Sequence, residues 1–184
     1  MPYAPVTEKH LADGMTNAEL CAAAVQLSDN AAANLLMKQV GGPPGVTVFA
    51  RSLGDDMFRL DRWEPELNSA TPGDPRDPTT PVAMMRTLQK LALGDALAPA
   101  QRKLLVDWML ISPTGAERIR AGVPSDWKVA DKTGSGSHGS TNTIAVLYPP
   151  GKAPIVIAVY FTQSPQQRSD VVAAAARAVV RALA

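Results

Sequence analysis

Three short runs in this 184-residue chain carry residue types that cooperate in acyl transfer. Lys132-Thr133-Gly134, followed by Ser135 and Gly136, offers an ammonium and two hydroxyls along one edge, a donor set suited to a carboxylate. Gly134 and Gly136 remove side chains that would keep a ligand off the backbone. Ser28-Asp29-Asn30 brings a hydroxyl, a carboxylate and an amide together. Glu64 and Asn68, four residues apart, can converge on one water and activate it to hydrolyse an acyl intermediate. Each run also has a plainer reading: a surface lysine beside a glycine turn, a helix-capping cluster, and a solvated loop glutamate.

Helix signals dominate the first half. Thr16 and Glu19 form a capping box, with Met15 and Leu20 spaced as a hydrophobic staple, so a helix is expected from Asn17 to about Leu27. Ser28-Asp29-Asn30 breaks it, leaving side chains free to turn into a cleft. A second helix starts near Ala31 and stops at Gly41-Gly42, and Pro43-Pro44 opens a third through Ser52, closed by Gly54. Residues 55–80 hold several prolines and acids with little periodicity and read as a long functional surface loop. Two more helices follow at about 82–93 and 99–111. Trp127–Thr133, Thr141–Tyr148 and Ile155–Thr162 are rich in β-branched and aromatic residues and should form an antiparallel meander. A last helix runs from Ser169 with Val172, Ala175, Ala176, Val179 and Leu183 as its apolar stripe.

Order and spacing of these motifs resemble a class A serine β-lactamase. Arg62-Trp63-Glu64-Pro65-Glu66-Leu67-Asn68 resembles that family's deacylation loop. The resemblance implies an α/β (three-layer α+β) fold of the β-lactamase/transpeptidase kind, an antiparallel sheet flanked by helices beside a helical lobe. It implies one domain over 1–184, with 1–115 mainly helical and 116–184 sheet plus final helix. Ser28 would pass a proton toward the lactam nitrogen and Asn30 would hold the substrate's acylamino group. Glu64 and Asn68 would manage the deacylating water. Lys132, Thr133, Gly134 and Ser135 would bind the substrate carboxylate, with the Ser135 N–H as half of an oxyanion hole. Arg62 and Asp77 would clamp the loop's neck, and Asn34 would face Glu64. Tyr3, within Tyr3-Ala4-Pro5-Val6-Thr7-Glu8-Lys9-His10, would line the cleft wall. Thr141-Asn142-Thr143 stands where some members carry an arginine for the carboxylate. Arg118 matches the alternative position, its rival reading being a solvated helix arginine.

The family's Ser-x-x-Lys nucleophile is not found in its expected place. Ser125-Asp126-Trp127-Lys128 matches literally, but Pro124 and the β-prone residues after it point to a strand, where residues three apart face opposite ways. The resemblance therefore spans about the carboxyl-terminal two-thirds of such an enzyme, and an internal start, a truncated frame and a deliberate excision all fit. On this reading the chain alone is expected to be catalytically silent and marginally stable, with Ile155–Thr162 as an exposed apolar edge. A complementing amino-terminal segment would be a partner. The parent would be monomeric and periplasmic or secreted, though no export signal is read here.

Composition narrows the alternatives. With 46% hydrophobic and 19% charged residues the chain can build a core, and a net charge of +1 gives no pull toward nucleic acid or anionic membranes. Cys21 stands alone and reads as a small buried helix residue or one half of a lost disulfide. With no Cys/His cluster, no metal or other cofactor is expected. His10 and His138 are isolated and unsuited to acid–base work. A penicillin-binding D,D-peptidase and a non-catalytic β-lactam-binding remnant are the rival functions. The Glu64–Asn68 loop weighs against the first.

Overall fold

The computed structural model describes residues 3–183; Met1, Pro2 and Ala184 lie outside them. Its elements follow the expected order: α1 Asn17–Leu27, α2 Asn30–Gln39, α3 Gly42–Ser52, α4 Pro81–Ala92, α5 Pro99–Leu110, β1 Lys128–Ser135, β2 Thr141–Tyr148, β3 Ile155–Phe161 and α6 Ser169–Leu183. The strands form one antiparallel sheet in sequence order, so β1 and β3 are its edges among the described residues.

Helices cover both faces of the sheet. On one face, Val172 and Ala176 of α6 pack with Ile119 against Val129, Ala145, Leu147 and Ile157. On the other, Leu88 and Ala92 of α4 and Met109 of α5 pack against Ala130 and Val146. Alternate residues of one strand thus bury on opposite faces, which accounts for the near-continuous apolar run along β2. The result is the three-layer α/β arrangement expected from the sequence.

The amino-terminal helices are set by local chemistry. Thr16 and Glu19 close the capping box of α1, and Met15 packs on the cluster holding Leu20, as a staple should. Ser28 ends α1 in the left-handed conformation (φ 55°), and Asp29 caps α2 by accepting from the Ala32 N–H at 2.9 Å. Cys21 is half-buried rather than buried, because it sits to one side of the apolar face formed by Leu20 and Ala23.

Asp29 does more than cap. Fully buried, it also accepts from the Val6 and Thr7 N–H groups at 2.9 Å and from the Thr7 hydroxyl at 2.9 Å. Burial alone would raise its pKa, but these hydrogen bonds together outweigh burial and hold it below the usual carboxylate value. Asp29→Ala would strand several buried donors and is expected to cost about 3 kcal/mol. Because the folded pKa is depressed, the carboxylate's contribution is complete above its unfolded value of 3.8 and is lost as pH falls through the folded value. Urea midpoints of wild type and Asp29→Asn should therefore differ most at neutral pH and converge in acid.

Candidate active site

β1 runs two residues further than the expected strand, so Lys132-Thr133-Gly134 lies within it. Gly134 pairs with Asn142 and Ser135 with Thr141, which extends the ladder past the glycine. The end of β1 forms one wall of a cleft of about 640 Å³ shared with the α1–α2 junction and the 55–80 loop. Tyr3, Ser28, Asn30, Glu64, Asn68, Arg118, Lys132, Thr133, Gly134 and Ser135 all line it. Groups drawn from most of the chain's length thus meet in one place.

At the cleft's centre Lys132 Nζ donates to Ser28 Oγ at 2.5 Å and to the Thr133 carbonyl at 2.8 Å. No carboxylate lies within ion-pair distance of Lys132 among the described residues. Burial pushes this amine down to about 8, although Asp131 and Glu64 nearby pull it upward. Asp131, on the opposite side of the strand, pairs with Arg120 at 2.6 Å, but burial dominates and raises its pKa.

Arg118 is neither helical nor solvated. It precedes a 3-10 turn at Ile119–Gly122, is 7% exposed, and Nη1 donates to the carbonyls of Gly134 (2.9 Å) and Asn142 (2.8 Å). Its Nη2 donates to Ser135 Oγ at 2.6 Å. Arg118 also has no acidic partner within ion-pair distance among the described residues, and burial lowers its pKa. Two cations without counter-ions at one end of a cleft make an anion site.

Glu64 and Asn68 line the same cleft from the 55–80 loop. The Asn68 side-chain amide donates to Glu64 Oε2. Burial raises the Glu64 pKa above its ordinary value against the opposing pull of that hydrogen bond and of Lys132. The Glu64–Pro65 peptide is cis, and Glu66–Ser69 forms a 3-10 turn. Asn34 on α2 grips the main chain of Glu64 rather than its carboxylate: its Nδ2 donates to the Glu64 carbonyl at 2.9 Å, and the Glu64 N–H donates to its Oδ1 at 3.0 Å. At the neck Arg62 Nε pairs with Asp77 at 2.6 Å, and Arg62 Nη1 donates to Ser69 Oγ at 2.8 Å.

Gly136 serves this loop rather than a ligand. A Cβ there would lie 2.6 Å from the Asn68 carbonyl oxygen, which also accepts from the Ser137 N–H at 2.9 Å. A Cβ at Gly134 would have its nearest neighbour 3.6 Å away, an ordinary contact. Ser125 and Lys128 line a separate depression beside Leu110 and Trp127, away from the cleft.

Two further residues belong to this constellation and carry no signal in the sequence. Thr114 Oγ1 accepts from Thr133 Oγ1 at 2.9 Å, and Gln167 Oε1 accepts from Ser135 Oγ at 3.2 Å and Arg118 Nη2 at 3.4 Å. Neither sits in a motif, and only the fold brings them to β1. Gly136→Ala is expected to push the 66–69 turn away from β1. Amide exchange at Ser137 should then accelerate about tenfold or more, as local opening becomes easier, while exchange in β2 stays unchanged.

Comparison with known proteins agrees with this geometry. The Beta-lactamase enzyme family model matches residues 2–183. A carbapenem-hydrolyzing beta-lactamase KPC of Klebsiella oxytoca is 57% identical over 188 aligned positions, covering 100% of this chain and 64% of the relative. Beta-lactamase CTX-M-8 of Citrobacter amalonaticus is 57% identical, covering 96% and 62%. Among solved structures, an ancestral (GNCA) class A beta-lactamase superposes with a TM-score of 0.96 at 60% identity, over 99% of this chain and 71% of that one. A beta-lactamase from Desulfarculus baarsii does so with a TM-score of 0.96 at 55% identity, over 100% and 70%. The chain spans 62–64% of the length of these two curated relatives. Sharing their fold over its whole described length at this identity, the chain belongs to the class A β-lactamase family.

Proposed function

We propose that this chain supplies the carboxylate-binding, proton-transfer and water-activating groups of a β-lactam hydrolase working through a serine acyl-enzyme. One observation carries the reading: the cations Lys132 and Arg118 and the carboxylate–amide pair Glu64–Asn68 line a single cleft together with Ser28. At the cationic end Lys132, Thr133, Ser135 and Arg118 take the substrate carboxylate. Ser28, already hydrogen-bonded to Lys132, hands a proton to the lactam nitrogen, and Asn30 holds the acylamino side chain. Tyr3 lines the wall.

Glu64, with its pKa raised by burial, takes a proton from the water that Asn68 helps to orient. Arg62, Asp77 and Asn34 position that loop without touching substrate. The partner this reading adds is a complementing amino-terminal segment bearing a Ser-x-x-Lys helix. Supplied in trans, it should raise turnover of a chromogenic cephalosporin well above that of the chain alone, and Glu64→Ala should let the acyl-enzyme accumulate instead of clearing.

Carboxylate recognition can be tested without turnover. With Ser28→Ala as the background, benzylpenicillin binding to the 184-residue chain, followed by titration calorimetry, should weaken about tenfold to a hundredfold on adding Arg118→Ala, as expected for loss of a charge-assisted hydrogen bond. The methyl ester of the same ligand should bind weakly and equally to both. Equal loss for acid and ester would assign Arg118 a purely structural role.

A further inference from the structure

We propose that Ser28 and Lys132 form a Ser–Lys nucleophilic pair, so that Ser28 Oγ can itself take an acyl or sulfonyl group. The inference rests on the reading of the cleft given above and goes beyond the proton relay assigned to Ser28 there. Its support is geometric.

A serine hydroxyl becomes a nucleophile when a base within hydrogen-bond reach removes its proton. Ser28 Oγ lies 2.5 Å from Lys132 Nζ, closer than the Thr133 carbonyl that the same amine also meets. Lys132 is moreover an amine with no ion-pair partner among the described residues. Its charged neighbours are Asp131 behind the strand, Glu64 across the cleft and Arg118 beside it, and burial prevails over the two acids, so neutral amine is populated near pH 8. A neutral amine accepts a proton from the serine where an ammonium would only donate one.

The backbone presents Ser28 to the cleft. It occupies the left-handed region at φ 55° where α1 ends and α2 has yet to begin, a conformation that non-glycine residues adopt at a cost and that concentrates at functional sites. That turn is held by buried Asp29 next to it. Among the hydroxyls lining the cleft, only Ser28 is bonded to the lysine; Thr133 Oγ1 donates to Thr114, and Ser135 is engaged by Arg118 and Gln167. Asn30, two residues on, also lines the cleft, where its amide can polarise a bound carbonyl.

With a β-lactam, the Ser28 Oγ–C bond forms and the lactam C–N bond breaks. The serine proton passes to Lys132 Nζ and from there to the departing ring nitrogen. Water activated by Glu64 then cleaves the ester, returning the serine and releasing the ring-opened acid. With a sulfonyl fluoride, the Oγ–S bond forms, fluoride leaves and the proton stays on Lys132.

The experiment treats the 184-residue chain separately with benzylpenicillin and with phenylmethanesulfonyl fluoride, then locates adducts by intact mass and peptide mapping. Glu64→Ala is included to keep the penicilloyl adduct from clearing. A sulfonyl adduct confined to Ser28, its rate rising about tenfold between about pH 7 and 9 as Lys132 loses its proton, supports the pair. Lys132→Arg should abolish the adduct and Ser125→Ala should leave it unchanged. A sulfonyl adduct at Ser28 without a penicilloyl one would uphold the pair and overturn the β-lactam reading of the cleft. No adduct at Ser28 with either reagent, while benzylpenicillin still binds reversibly, would overturn the pair and leave that reading standing.

Discussion

The contact between Lys132 and Ser28 is the constraint on which the rest of the site depends. It joins residues 104 positions apart, ties the sheet to the end of α1, and places a desolvated amine at the centre of the cleft. Leaving such an amine without an ion-pair partner is costly, so the surrounding fold must hold it there. β1 does so from one side, through a ladder that stays in register from Lys128 to Ser135. Asp29 does so from the other, binding the 6–7 segment and the first turn of α2 and so fixing the turn that carries Ser28.

The wall that carries Glu64 is held by a different device. The 55–80 segment has little regular structure, and its shape comes from bonds at its neck and tip. Asp61 and Asp77 each accept from the other's backbone N–H, at 2.7 and 2.6 Å, and Arg62 adds an ion pair that is largely shielded from solvent. Asn34 on α2 then holds Glu64 by its main chain, while the carboxylate accepts from the Asn68 side-chain amide. At the far end the Asn68 carbonyl is latched to Ser137, which couples the loop to the end of β1. An isolated exposed ion pair would contribute little, whereas a partly buried pair within a bonded network can set a loop's position.

Electrostatics divides the cleft. Burial acts in the same sense on three groups of different kind: it raises Glu64, lowers Lys132 and lowers Arg118, moving each toward its neutral form. Burial thus raises the acid's pKa and lowers the lysine's to about 8, favouring the neutral form of each. The arginine stays charged because its intrinsic pKa is so high, and it remains the fixed cation of the site.

Much of the architecture is legible in the residues. The capping box at Thr16 and Glu19, the break at Ser28-Asp29-Asn30 and the β-branched runs of the last third each rest on local stereochemistry, and the corresponding elements fall within a residue or two of their expected places. Lys132, Glu64 and Asn68 are candidates by residue type and by resemblance to a family motif, and the fold brings all three to one cleft. Contacts between distant segments leave no such motif. By sequence, Arg118 is as much a solvated helix residue as a cleft cation; the fold buries it against the end of β1. Gly136 reads as room for a ligand, yet the Asn68 carbonyl fills that space. Thr114 and Gln167 give no signal, since a single threonine or glutamine carries no periodicity or spacing. Local stereochemistry and residue chemistry thus determined the elements and the candidate groups. Which groups lost solvent, which met, and at what distance was decided by tertiary packing alone, because desolvation and approach are properties of the assembled layers.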